Sequence, residues 1–185
     1  DKNSLYSAEL FRDGEKGIEI ILNAVKTKQK IAVYGDYDAD GVMSTTILYK
    51  TLKYLGADVI FYLPHRQKEG YGMNCDAVRE LNKNGIEVIF TCDNGIAAIE
   101  EIALAKELGM KVVVLDHHEV QYDETETGEK ILKVPCADAV IDAKQADCEY
   151  PFKEICGATV AYKLITAIVN SMGREMSSTN YLLEY

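Results

Sequence analysis

The chain has 185 residues, which at roughly 150 residues per domain predicts one compact domain. Hydrophobic residues make up 48% and charged residues 27%, a composition that excludes a disordered, collagen-like or low-complexity chain. Lys and Arg number 20 against 30 for Asp and Glu, so the net charge of −10 repels polyanions and excludes a broad basic nucleic-acid surface.

No run approaches the roughly 20 apolar residues that cross a bilayer, and the apolar stretch 160–169 is broken by Lys163, so a soluble protein is expected. The opening DKNSLYSAEL has no basic segment followed by an apolar one, and hence no secretory signal; a start at Asp1 rather than Met is expected of an excised piece of a longer chain. The cysteines at 75, 92, 136, 148 and 156 include no C-x-x-C pair, which fits reduced thiols in the cytoplasm. Cys92, inside VIFTC, reads as a small buried hydrophobe rather than a ligand.

In chain order, 13–27 is predicted to be an amphipathic helix with Ile18, Ile21, Leu22 and Val25 on one face, closing an N-terminal lead-in over 1–29 and covering the sheet. KIAVYGD at 30–36 is the first strand. YLGADVIFYL (54–63), KNGIEVIFTC (83–92) and ELGMKVVVLD (107–116) then repeat one grammar: a helix ends at Gly56, Gly85 or Gly109, where positive φ is needed, and a β-branched run follows. Helices are expected over 42–55, 74–84 and 96–108, the last with Ile99, Ile102, Ala103 and Leu108 at helical spacing. Continuous hydrophobicity in VIF and VVVL predicts strands buried on both faces. The fold class is therefore α/β, a mostly parallel β-sheet flanked by helices on both faces. The acidic stretch after Glu119 shows no sustained period and reads as a surface loop; 139–141 is a further strand, 157–172 a helix, and 171–180 a linker before YLLEY.

Ligands of parallel sheets sit beyond the carboxyl ends of the strands. Strand one ends in Asp36, Asp38 and Asp40, strand three in Asp93, and strand four in Asp116, His117 and His118; strand two contributes His65 and Arg66. Carboxylates gathered on one edge cannot all ionise side by side without a neutralising partner. Oxygen donors with one or two imidazoles and no thiolate suit Mn²⁺ or Mg²⁺, and two such ions suit hydrolysis of a phosphoester or phosphoanhydride. Plainer roles stay open. Asp40 or Asp93 alone could cap the following helix, EGYGMN could be a flexible turn, and His65 reads as a loop residue. The neighbours His117 and His118 would diverge in a loop, which disfavours a pair of core histidines. A phosphoacceptor receiver domain also binds Mg²⁺ at strand ends, but it has no His pair and expects a later Lys.

YGDYDADGV (34–42), LPHRQKEGYGMN (63–74), TCDNGI (91–96) and LDHHEV (115–120) resemble the first three motifs of the DHH phosphoesterase superfamily, and within it the RecJ single-stranded-DNA-specific 5′→3′ exonucleases of DNA repair and recombination; ICGATVAYKL (155–164) is similar to the stretch after the DHH motif. The resemblance runs from about residue 5 to the end. It implies that Asp36 and Asp38 serve one metal and Asp40 and His117 the other, with Asp93 bridging. It further implies that His118 contacts the scissile phosphate, Asp116 orients the histidines, Arg66 clamps phosphate and Tyr71 approaches a base or sugar. On this basis 1–185 is expected to be a DHH catalytic domain cut before the family's fourth motif, lacking that motif's ligand Asp and the closing domain, nearly inactive alone, and reaching single-stranded DNA through the full-length protein. Two rivals share the resemblance: a DHH phosphodiesterase acting on short oligonucleotides, cyclic dinucleotides or polyphosphate, and a non-catalytic replication scaffold.

Overall fold

The computed structural model describes residues 6–67 and 70–173. Five strands, β1 (Lys30–Tyr34), β2 (Asp58–Tyr62), β3 (Val88–Thr91), β4 (Lys111–Leu115) and β7 (Ala139–Ile141), form one sheet in the order β2-β1-β3-β4-β7. Every pairing in it is parallel. Side chains alternate across a strand, so each strand feeds two cores. Ile31, Val33, Val88, Phe90, Val113, Leu115 and Ile141 pack with helices α1 (Gly14–Lys26), α2 (Ala39–Tyr54) and α5 (Gly157–Ser171). On the opposite face Ala32, Tyr34, Ile89, Val112, Val114 and Val140 pack with α3 (Cys75–Lys83) and α4 (Ile99–Glu107).

Gly56, Gly85 and Gly109 adopt φ of 80°, 78° and 83°, as helix-ending C′ residues do. Helix α1 seals the β7 end of the sheet: Gly17 lies against Ile141 and Val113, and the Asp13 carboxylate accepts from Val140 N at 2.9 Å. Cys92 is buried and unpaired. Among the described residues no helix is long and apolar enough to cross a membrane.

Two expectations fail here. The VIF of β3 is fully buried, but in β2 only Val59 is, with Ile60 and Phe61 38% and 54% exposed, because β2 is an edge strand. The acidic stretch after Glu119 is an antiparallel hairpin, β5 (Gln121–Glu124) with β6 (Lys130–Lys133), not a loop. Both of its strands are exposed on both faces, so no buried face imposes an apolar period. Its register is set instead by the turn, where Thr125 N donates to Glu129 O and Gly128 N to Thr125 O. Most of the expected linker, together with YLLEY, lies outside the described residues.

Candidate metal centre

The sheet order reverses at β1, whose neighbours β2 and β3 lie on opposite sides, and such a switch point leaves a crevice at the strands' carboxyl ends. All the predicted acids arrive there. Asn94 ties the crevice floor, its Nδ2 donating to Tyr34 O at 3.2 Å and Cys92 O at 2.9 Å, and so links β1 to β3 beyond their last pairing. Sequence reasoning passed over Asn94; its polar side chain three residues after a buried strand was the available signal.

Asp36 is buried, with Oδ1 accepting from Tyr37 N at 2.7 Å and Oδ2 lacking any hydrogen-bond partner. Asp38 is the N-cap of α2, accepting from Gly41 N at 2.9 Å. Asp40 does not cap its own helix. It reaches across to α5, where Oδ2 accepts from Gly157 N at 2.7 Å and Oδ1 from Ala158 N at 2.8 Å. Asp93 caps nothing either: α4 begins at Ile99 after Ala98, later than predicted. Instead Asp93 adopts φ 61° and buries its carboxylate, with Oδ1 2.9 Å from His117 Nε2.

Asp116 accepts four donors. Oδ1 takes the backbone N–H of His117 and His118 at 2.7 and 3.2 Å and His118 Nδ1 at 2.7 Å, while Oδ2 takes Ile96 N at 2.8 Å. This holds the two histidine rings side by side, centroids 4.5 Å apart, rather than diverging. Asp116 thus orients the His118 ring directly and His117 through its backbone. His118 Nε2 meets Tyr71 Oη at 3.1 Å. Ligand atoms of Asp93, His117 and His118 lie within 4.8 Å of one another, and Asp40 Oδ2 stands 3.6 Å from His117 Nε2.

Arg66 is exposed, its guanidinium 5.5 Å from the Tyr37 ring centre, and no acid of the cluster is in ion-pair reach of it among the described residues. His65 stays in its loop, accepting from Gln67 N at Nδ1, 3.3 Å away. Beside the cluster a cleft of about 370 Å³ opens between Tyr71, Met73, Ile96, Glu101 and His118.

Burial and then the neighbouring Asp40 and Asp38 push Asp93 up to about 8, and burial foremost raises Asp36 as well. The hydrogen bond to Asp116 is the main cause that lifts His118 to about 9. Asp142 follows the last residue of β7. It is fully buried at the same edge and pushed by burial to about 6.

The chemistry fits a divalent cation. Among the described residues the buried oxygens Asp36 Oδ2 and Asp93 Oδ1 have no hydrogen-bond partner, a costly state for carboxylates that a cation relieves. Asp93 Oδ1 and His117 Nε2 approach to 2.9 Å without hydrogen-bond geometry, as two ligands of one ion do. Residues 30–184 match the DHH family, N-terminal domain.

The chain belongs to the DHH family. This DHH domain is 44% identical over 156 residues to the single-stranded-DNA-specific exonuclease RecJ of Bacillus subtilis, a match covering 84% of this chain and 19% of that protein. The crystal structure of exonuclease RecJ bound to manganese aligns with TM-score 0.75 at 30% identity, over 89% of this DHH domain and 39% of that chain. RecJ of Thermus thermophilus in complex with Mn²⁺ aligns with TM-score 0.69 at 28% identity, over 89% and 22% respectively. The domain therefore spans about a fifth of the length of the Bacillus relative.

Proposed function

We propose that residues 1–185 are the DHH catalytic domain, with 1–29 as its helical lead-in, of a cytoplasmic single-stranded-DNA-specific 5′→3′ exonuclease that hydrolyses phosphodiester bonds in DNA repair and recombination. One observation carries this reading: Asp93, His117 and His118 converge at the switch point beside carboxylate oxygens that lack a hydrogen-bond partner among the described residues. The names of the relatives support the substrate, and five free cysteines support the compartment.

In this reading Asp36 and Asp38 would hold one Mn²⁺ or Mg²⁺, Asp40 and His117 would hold the other, and Asp93 would serve both. Such a pair would lower the pKa of the attacking water and draw charge from the phosphoryl oxygens. The chain's own residues do the rest. Asp116, buried and saturated with donors, fixes His118 with Nδ1–H toward itself, which leaves Nε2–H to pass from Tyr71 Oη to a phosphoryl oxygen. In the metal-free chain the hydrogen bond to Asp116 lifts His118 to about 9, and an imidazolium there would meet that oxygen as a cation. Tyr71, pushed upward mainly by burial, stays a neutral phenol beside the cleft, where its ring offers a face to a base or sugar. Arg66 is exposed, and among the described residues no acid of the cluster is in ion-pair reach of it, as suits a phosphate clamp.

The test uses the full-length protein on 5′-phosphorylated, end-labelled single-stranded DNA with Mn²⁺, beside dinucleotides and polyphosphate. Stepwise release of mononucleotides from the 5′ end is expected. Turnover confined to dinucleotides or polyphosphate overturns the exonuclease reading, and no turnover of any of them overturns the enzyme.

A further inference from the structure

The segment ICGATV supplies no acid or imidazole to the cluster, yet the start of α5 touches two of its acids. Gly157 N and Ala158 N donate to both oxygens of Asp40, 117 and 118 residues away in sequence, at 2.7 and 2.8 Å. A Cβ on Gly157 would lie 2.7 Å from Asp93 Oδ1 and 2.9 Å from Asp93 Cβ, closer than real side chains pack. Gly157 is buried, α5 packs along α2, and Val160, Leu164 and Ile168 sit in the core shared with the sheet, so the helix start cannot drift independently of it.

We propose that the first turn of α5 is the fixture that positions Asp40 and Asp93 for divalent-cation binding, with Gly157 and Ala158 as positioning residues. This rests on the metal-centre reading above. Two backbone N–H groups orient the Asp40 carboxylate while leaving each oxygen a further lone pair. The partial positive charge of a helix N-terminus lowers the cost of bringing Asp40 and Asp93 together before any cation arrives. Only a glycine at 157 lets that terminus approach Asp93 so closely, and the outer hydrogen-bonding partners of ligating groups govern metal affinity.

Binding of Mn²⁺ alone, followed by electron paramagnetic resonance of the free ion, tests this on the 185-residue chain and three variants. Gly157→Ala crowds Asp93. Ala158→Pro removes one N–H from a helix's first turn, where proline is tolerated. Ala158→Gly retains the N–H and serves as the rescue. Far-UV circular dichroism in chelator identifies the variants that fold, and either of the first two suffices. The expected result is Mn²⁺ affinity about 10-fold or more weaker in Gly157→Ala and Ala158→Pro, with Ala158→Gly close to wild type. Folded Gly157→Ala or Ala158→Pro binding as tightly as wild type overturns the positioning role alone. A wild-type chain that binds no Mn²⁺ overturns the metal centre and this inference with it.

Discussion

Asp93 holds a left-handed backbone, a buried carboxylate and two acidic neighbours at once, and its proton is the simplest way for the metal-free site to tolerate them. An acid whose folded pKa of about 8 stands above its ordinary 3.8 stays protonated after the unfolded chain has ionised, so stability falls as pH rises across that window. His118 acts in the same direction. Its stabilisation is complete below 6.5 and is lost as pH rises to about 9. The metal-free chain should therefore melt lower at pH 9 than at pH 6, by calorimetry in chelator. Asp93→Asn should flatten that slope, because the Asp93 contribution is lost, and should abolish hydrolysis in the full-length protein. An unchanged slope in the variant would show that Asp93 is ionised throughout. No helix cap is lost in this substitution, since α4 starts only at Ile99.

At the scale of elements, the helices were legible because each must bury a stripe: α1, α3 and α5 occur within about two residues of the spans read from apolar spacing. The hairpin β5–β6 was not legible, since a two-stranded ribbon exposed on both faces has no stripe to bury. The lead-in helix is part of the domain rather than an appendage. A side chain at Gly17 meets the end of Ile141 at 2.5 Å, so Gly17→Leu should lower the unfolding free energy by about 1–3 kcal/mol through overpacking. A urea midpoint equal to wild type would show that α1 does not dock tightly on β7.

Across the whole molecule, two facts pull against each other: a net charge of −10, and relatives named for acting on single-stranded DNA. Cations held by the acids would resolve part of this conflict locally, because they would neutralise the edge at which a phosphate would be held. A ligand that binds only the folded state raises stability by mass action, about 2.7 kcal/mol at 100 times its dissociation constant. Millimolar Mn²⁺ should therefore raise the melting temperature of this chain above its value in chelator. Equal melting temperatures in the two conditions would count against a preformed centre.

The sequence by itself determined the alternation of strand and helix, the glycine stops, and the set of acids and histidines delivered to one sheet edge. Each of these follows from a local period or from the rule that parallel strands present their carboxyl ends together. Tertiary structure alone decided which acid does what. Asp38 rather than Asp40 caps α2, Asp40 grips the distant start of α5, Asp116 gathers four donors, and Asp142 joins the edge. These assignments depend on strand order and on the packing of α5 against α2. Both are set by contacts between residues far apart in the chain, which no local period encodes.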